Sequence, residues 1–160
     1  MSGKTKIDWT DVVQGRTRVT WPIPNLTLGV SCSTQADVDE RVPLLLATPA
    51  AKRVISLEPL LGPVVFEAFT NPAALTVIVG VESLPGGRLG RLSDRQIHLV
   101  ASEWDGYATE ADWLSWAEAI VAQCRAAGVS AWVKQIPRAG KLCRDISQFP
   151  KALRVREWAK

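Results

Sequence analysis

The chain has 160 residues, a formal net charge of +3, 47% hydrophobic residues and 22% charged residues. That balance is globular, argues against disorder or fibrous repeats, and suits a single domain with its own core. So small a net charge does not imply nucleic acid by itself, and no apolar run approaches the roughly 20 residues needed to span a bilayer.

Met1-Ser-Gly-Lys-Thr-Lys6 carries lysines with no apolar core behind them, so no signal peptide is expected and a soluble cytoplasmic protein is the plain reading. Residues 1–20 read as an N-terminal arm. A first strand is predicted at Asn25–Ser31. Thr34-Gln-Ala-Asp37 is a capping-box-like start leading into Val38, Val42, Leu45 and Leu46 on one helical face. Pro43 interrupts that run, so a kink or a break into two short helices is expected. A second strand is predicted at Arg53–Leu57 and a third at Leu75–Val81. Both are nearly continuous apolar runs with β-branched residues, the pattern of strands buried on both faces of a parallel sheet. The Pro-rich connection from Pro59 to Ala74 is expected to hold no proper helix.

Pro85–Arg91 reads as a loop and Gln96–Ala101 as an extra strand or hairpin arm, both inside an expanded segment, 84–108. The strongest helix is Thr109–Ala127, where Trp113, Trp116, Ala117, Ile120, Val121 and Cys124 follow the i, i+3, i+4 spacing; Thr109 with Asp112 opens it and Gly128 closes it. A fourth strand follows at Ser130–Ile136. Residues 137–160 read as an irregular extension with an edge strand near Leu153–Arg156. The alternation predicts an α/β domain with parallel βαβ units.

In such sheets ligands bind beyond the carboxyl ends of the strands. Those ends carry Ser31 beside Cys32 and Ser33, then Glu58, then Glu82 with Ser83, then Lys134 with Gln135. Two carboxylates and a lysine on neighbouring exits form a candidate ligand pocket, suited to acid–base work, a divalent cation, or an amine-bearing or polyol ligand. Gly80–Arg88 lacks the spacing of a phosphate loop and reads as a flexible strand exit. Arg88, Arg91, Arg95 and Trp104, with Tyr107 nearby, form a candidate contact for nucleic acid or a partner, against the plainer reading of a solvated basic loop.

The three cysteines, Cys32, Cys124 and Cys143, are far apart and form no Cys-x-x-Cys pair, and the lone His98 has no nearby partner. No metal site is expected from them, and buried free thiols are the expected role of Cys32 and Cys124. Seven tryptophans are many for this length; those outside the regular elements, Trp9, Trp21, Trp104 and Trp158, pack termini onto the core or anchor a partner.

The chain resembles a phage and bacterial family of domains of unknown function related to radical S-adenosylmethionine enzymes. The resemblance is carried by Lys6–Asp11, Trp21–Ser31, Asp39–Ala50, Ser56-Leu-Glu-Pro-Leu-Leu-Gly-Pro63, Val79-Gly-Val-Glu-Ser83, Gln123–Gly128, Val133–Gln135 and Leu153–Glu157. It implies a partial β/α barrel whose N-terminal half bears a cysteine cluster for a [4Fe–4S] centre. Here Trp9-Thr-Asp11 runs on through Val12–Thr20 into the C-terminal half, without the cluster segment, so no iron–sulfur cofactor is expected. The family's Gly-Gly-Glu-Ser reads Gly80-Val-Glu-Ser83.

The expected fold is therefore a half β/α barrel or an open, mostly parallel sheet with flanking helices and an added edge strand or hairpin. Four parallel strands cannot close; a homodimer, a partner chain, or extra strands from 91–107 and 151–158 would cover the edges, the last with some self-association being favoured. The leading expectation is a non-catalytic, phage-type protein that binds a host or phage macromolecule. The alternatives are a residual enzyme or nucleotide-like ligand domain using Glu58, Glu82 and Lys134, and a nucleic-acid accessory protein that adds Lys151, Arg154, Arg156 and Lys160 to the basic loop.

Overall fold

Four runs rich in β-branched residues pair side by side in chain order. The computed structural model of the protein describes residues 14–15, 20–67, 69, 72–81, 109–139 and 141–159. It places β1 at Thr27–Cys32, β2 at Lys52–Leu57, β3 at Leu75–Gly80 and β4 at Ser130–Arg138. A fifth strand, β5 at Lys141–Cys143, completes the order β1-β2-β3-β4-β5. The first four strands are parallel and β5 is antiparallel to β4. The result is an α/β fold with an open sheet, not a closed barrel. Arg138 and β5 fall where the sequence suggested irregular chain; the added strand is the second arm of a hairpin with β4. Gln96–Ala101, the other expected arm, lies outside the described residues.

Two helices cover one face. α1 spans Gln35–Ala47 and α2 spans Glu110–Ala127, and each opens with a complete capping box, Thr34 with Asp37 and Thr109 with Asp112. Gly128 ends α2 in the left-handed region at φ 69°, which suits a residue without Cβ. Of the kink or break expected at Pro43, the break does not occur: α1 is one helix with the proline inside it. Pro43 and Asp39, whose carbonyl would otherwise accept from residue 43, are both exposed, so water can satisfy the group the ring leaves unpaired.

The strand alternation sets the core. Ile55, Leu57, Val77, Val79 and Val133 are fully buried under the helices, against Val38, Val42 and Leu45 of α1 and Trp113, Trp116, Ala117, Ile120, Val121 and Cys124 of α2. At about 1.5–3 kcal/mol for each large apolar side chain buried, this single helix-on-sheet layer is the main source of stability. The opposite, helix-free face carries Gly29, Ser31, Val54, Ser56, Ile78 and Trp132, which the register sets in rows across the sheet. Gly29 is required there: a Cβ would lie 2.5 Å from Val54 Cγ1 on the neighbouring strand.

No helix joins β2 to β3 through residues 58–67. That stretch runs extended over the helix layer, and two glutamines grip it. Gln35 of α1 accepts from Val65 N–H (2.7 Å) and donates to Val65 O (3.0 Å). Gln123 of α2 accepts from Phe66 N–H and donates to Val64 O, each at 2.9 Å. Each side-chain amide thus plays the part that a neighbouring strand's peptide would play.

The chain end protects the far edge of β4. Val133 N–H donates to Val155 O (3.0 Å), Glu157 N–H donates to Ala131 O (2.8 Å), and Trp132 and Arg156 form an antiparallel bridge. The expected edge strand is thus reduced to this one bridge, because Pro150 and two short 3-10 turns, Ile146–Gln148 and Lys151–Leu153, bring the chain alongside only briefly. Beyond it, Ala159 N–H donates to the buried Thr76 Oγ1 (2.9 Å) and its carbonyl accepts from Lys52 Nζ (3.3 Å). With β5 on the second half of β4, both halves of this edge are paired, which removes the hazard an open strand presents.

Candidate functional site

The carboxyl ends of β2, β3 and β4 meet at Glu58. It follows the last residue of β2, and its side chain lies on the helix-free face, 17% exposed. The peptide to Pro59 is cis, and the chain turns away over the sheet, with Leu60 N–H on Gly80 O and Leu61 N–H on Ser33 O. Gly80 makes room for the acid: a Cβ on Gly80 would stand 3.2 Å from Glu58 Cδ.

Two consecutive residues of β4 converge on this carboxylate. In a regular strand Lys134 and Gln135 would point to opposite faces. The pairing of β3 with β4 slips at this point: Val79 stands opposite Val133 but Gly80 stands opposite Gln135. Lys134 is the extra residue of a β-bulge, and the bulge re-aims the pair. Lys134 Nζ lies 2.9 Å from Glu58 Oε1 and 3.0 Å from Oε2, and Gln135 Nε2 donates to Oε1 at 3.0 Å.

Gln135 is fully buried and its amide is used at both ends. Nε2 also donates to Val81 O (2.6 Å), and Oε1 accepts from Arg144 Nε (3.1 Å). Lys134 is half exposed, so the cluster is open to solvent on one side and sealed on the other. The constellation is a carboxylate neutralised by one ammonium, backed by a buried amide that a guanidinium orients. It offers a fixed dipole and polar hydrogens at the rim of a sheet, where ligands of α/β folds bind.

Ser31 does not join this network. It faces Ser56 one strand away, and its carbonyl accepts from Arg41 Nη1 (2.6 Å), which also pairs with Asp37 (2.7 Å). Glu82 and Ser83, like Arg88, Arg91, Arg95 and Trp104, lie outside the described residues. Arg144 was not singled out by the sequence reading; the signal available was the density of basic residues from Lys134 to Arg156, where a single acid interrupts seven bases.

The helix starts next to the strand ends are already filled by protein carboxylates. Asp37 Oδ2 accepts from Ser33 N–H (2.9 Å), Thr34 N–H and Thr34 Oγ1 (both 3.1 Å). Burial alone would raise the Asp37 pKa, but these hydrogen bonds and Arg41 hold it below the usual range. Asp112 fills the start of α2 in the same way, and its bonds from Thr109 lower its pKa. An anionic ligand would have to displace an internal carboxylate at either helix, so neither start serves as a phosphate cradle.

The cysteines occupy three separate places. Cys32 ends β1, Cys124 lies in α2 and Cys143 ends β5. β1 and β5 are opposite edges of the sheet, about 19 Å apart at the usual strand spacing, so Cys32 and Cys143 cannot ligate one cluster. Burial, and then the charge of Asp37, pushes the Cys32 thiol up to about 11 despite Arg41. Burial pushes Cys124 up to about 12. Neither is a ready thiolate for nucleophilic attack or metal ligation. Among the described residues no three His, Cys, Asp or Glu side chains are grouped to hold a metal ion, and no helix is long and apolar enough to cross a membrane.

No curated protein and no solved structure matches the chain. A family model described as a protein of unknown function, DUF5131, matches residues 3–158, nearly the whole sequence. The chain therefore belongs to the DUF5131 family of proteins of unknown function.

Proposed function

We propose that this domain works by binding rather than by radical chemistry, as a phage-type descendant of a radical S-adenosylmethionine-like β/α barrel that keeps the strand-end pocket without the cluster. The observation that supports it best is that the Glu58 carboxylate is fully engaged within the protein. Both carboxylate oxygens are engaged by Lys134 and one also by the buried Gln135, whose own oxygen is held by Arg144. A carboxylate whose two oxygens already accept from Lys134 and Gln135 is suited to orienting a partner's polar group. The separation of the three cysteines supports the same reading, because an iron–sulfur cluster would lack its thiolate set. The resemblance in sequence is the ground for the phage-type descent and for a host or phage macromolecule as the partner.

The test is anaerobic purification, reconstitution with iron and sulfide, and incubation with S-adenosylmethionine and a reductant. The expected result is protein without cluster absorbance and no release of deoxyadenosine. A bound cluster, or cleavage of S-adenosylmethionine that Glu58→Gln abolishes, would overturn the reading.

A further inference from the structure

Charge is distributed unevenly along the chain. Seven of its 19 basic residues and one of its 16 acids fall between Lys134 and Arg156, so this stretch carries +6 while everything before it carries −3. Apart from Arg138, which also faces the charge of Asp145, the arginines there are held by uncharged groups. Arg138 Nη1 donates to Gln148 O, and Arg154 Nε donates to Phe149 O. Arg156 donates to the carbonyls of Val133, Lys134 and Arg144. Arg144 donates to the Gln135 amide. All these acceptors are uncharged, and the ion pairs among the described residues involve Arg41 and Lys134 instead. A guanidinium anchored this way keeps its full charge and spends little further entropy on meeting an anion.

The charge adjoins exposed aromatic surface. Bridged antiparallel residues share a face, so Arg156 and Trp158 lie with Trp132 on the helix-free side of the sheet. Arg156 sits 5.8 Å from the Trp132 ring centre, and Trp158 meets Trp132 edge-on at 6.2 Å while remaining 46% exposed. Glu157, the acid next in sequence, is directed the other way, where it lines a cleft of about 220 Å³ with Arg125. A band results: Trp158, Trp132, Arg156 and Arg144, ending at the Glu58–Lys134 pair.

We infer that this band binds single-stranded nucleic acid, with Arg144 and Arg156 on the phosphates and the exposed Trp158 as a stacking platform for a base. A positive track with an open aromatic face is the common design of single-strand binders. A duplex offers the charge but keeps its bases stacked away, and an acidic peptide has no use for the indole. The inference rests on the binding reading above only in that it names a partner class.

The experiment is fluorescence anisotropy of the full chain with a labelled mixed-sequence single strand, as DNA and as RNA, against the matching duplex and polyglutamate. Single strands should bind with a steep loss of affinity as salt rises, ahead of the duplex and polyglutamate. Trp158→Ala should weaken binding about 5- to 100-fold, and Arg144→Gln should reduce the salt slope by about one. Circular dichroism of both variants should show the native fold; if Arg144→Gln does not fold, the tryptophan variant alone decides. Absence of single-strand binding at low salt overturns the proposal. So does equal binding of duplex or polyglutamate together with an unaffected Trp158→Ala. A negative result here with no cluster on reconstitution leaves the binding reading standing; a cluster would remove that reading whatever the oligonucleotides do.

Discussion

Replacing Gln135 tests the strand-end network most directly. The side chain is fully buried and makes three hydrogen bonds, to Glu58, to Val81 O and from Arg144. Gln135→Leu keeps the volume but leaves the Val81 carbonyl without its donor, a loss of about 1–3 kcal/mol for a buried polar group. The Glu58 contact adds about 1 kcal/mol at most, since Lys134 remains and the carboxylate reaches solvent; the apolar replacement returns a similar amount. The net expectation is a destabilisation of about 2 kcal/mol, read as a urea midpoint lowered by about 1 M in tryptophan fluorescence. Gln135→Glu is the sharper variant. It sets a second carboxylate beside Glu58 and the Val81 carbonyl at a position with no exposure of its own, and these raise its folded pKa above the unfolded value of about 4.3 against the opposing pull of Arg144. A raised acid binds its proton more tightly folded than unfolded, so stability falls as pH rises through the interval between the two values. Gln135→Glu should therefore lie closer to the native protein at about pH 5 than at about pH 8. A penalty independent of pH, or a Gln135→Leu midpoint equal to that of the native chain, would refute the network as described.

Asp37→Asn should cost about 1 kcal/mol at neutral pH by weakening the start of α1. Because the folded pKa of Asp37 is depressed, its contribution exists above the unfolded value of about 3.9 and fades as pH falls through the folded one; helical signal in an acid titration should lose that component in the variant. Gly29→Ala should destabilise by about 1–3 kcal/mol through the clash with Val54, and Gly29→Ala with Val54→Ala should recover part of it in a denaturation cycle. In thiol titration Cys143, which is partly exposed, should react in the native protein, whereas Cys32 and Cys124 should wait for denaturant.

The regular elements were legible because each answers to a local rule. The spacing from Trp113 to Cys124 marks α2, and the β-branched runs ending at Leu57 and Gly80 mark buried strands. Of the strand-end residues, Glu58, Lys134 and Gln135 meet in one hydrogen-bonded cluster, while Ser31 stays outside it. How they meet was not legible: the bulge after Val79 is a misfit between two strands, and neither strand alone encodes it. β5 escaped because Lys141–Cys143 is too short to show a period, and its pairing comes from the hairpin with β4. Arg144 escaped because its role depends on the buried amide it orients. The continuity of α1 through Pro43 depends on which side of the helix the ring lies, which a linear pattern with a proline in it does not show.

The two glutamines that grip residues 64–66 bear on how this sequence can drift. A crossover helix satisfies its own backbone, so its residues can be exchanged one at a time. An extended crossover passes that obligation to distant positions, here 30 residues upstream of Val65 and 57 residues beyond Phe66. Each must both give and take a hydrogen bond at a set reach: glutamate cannot donate, asparagine is too short, and leucine offers nothing. Substitution tolerance on the outer surfaces of α1 and α2 should therefore show two isolated intolerant sites amid permissive neighbours, fixed by a segment to which neither belongs.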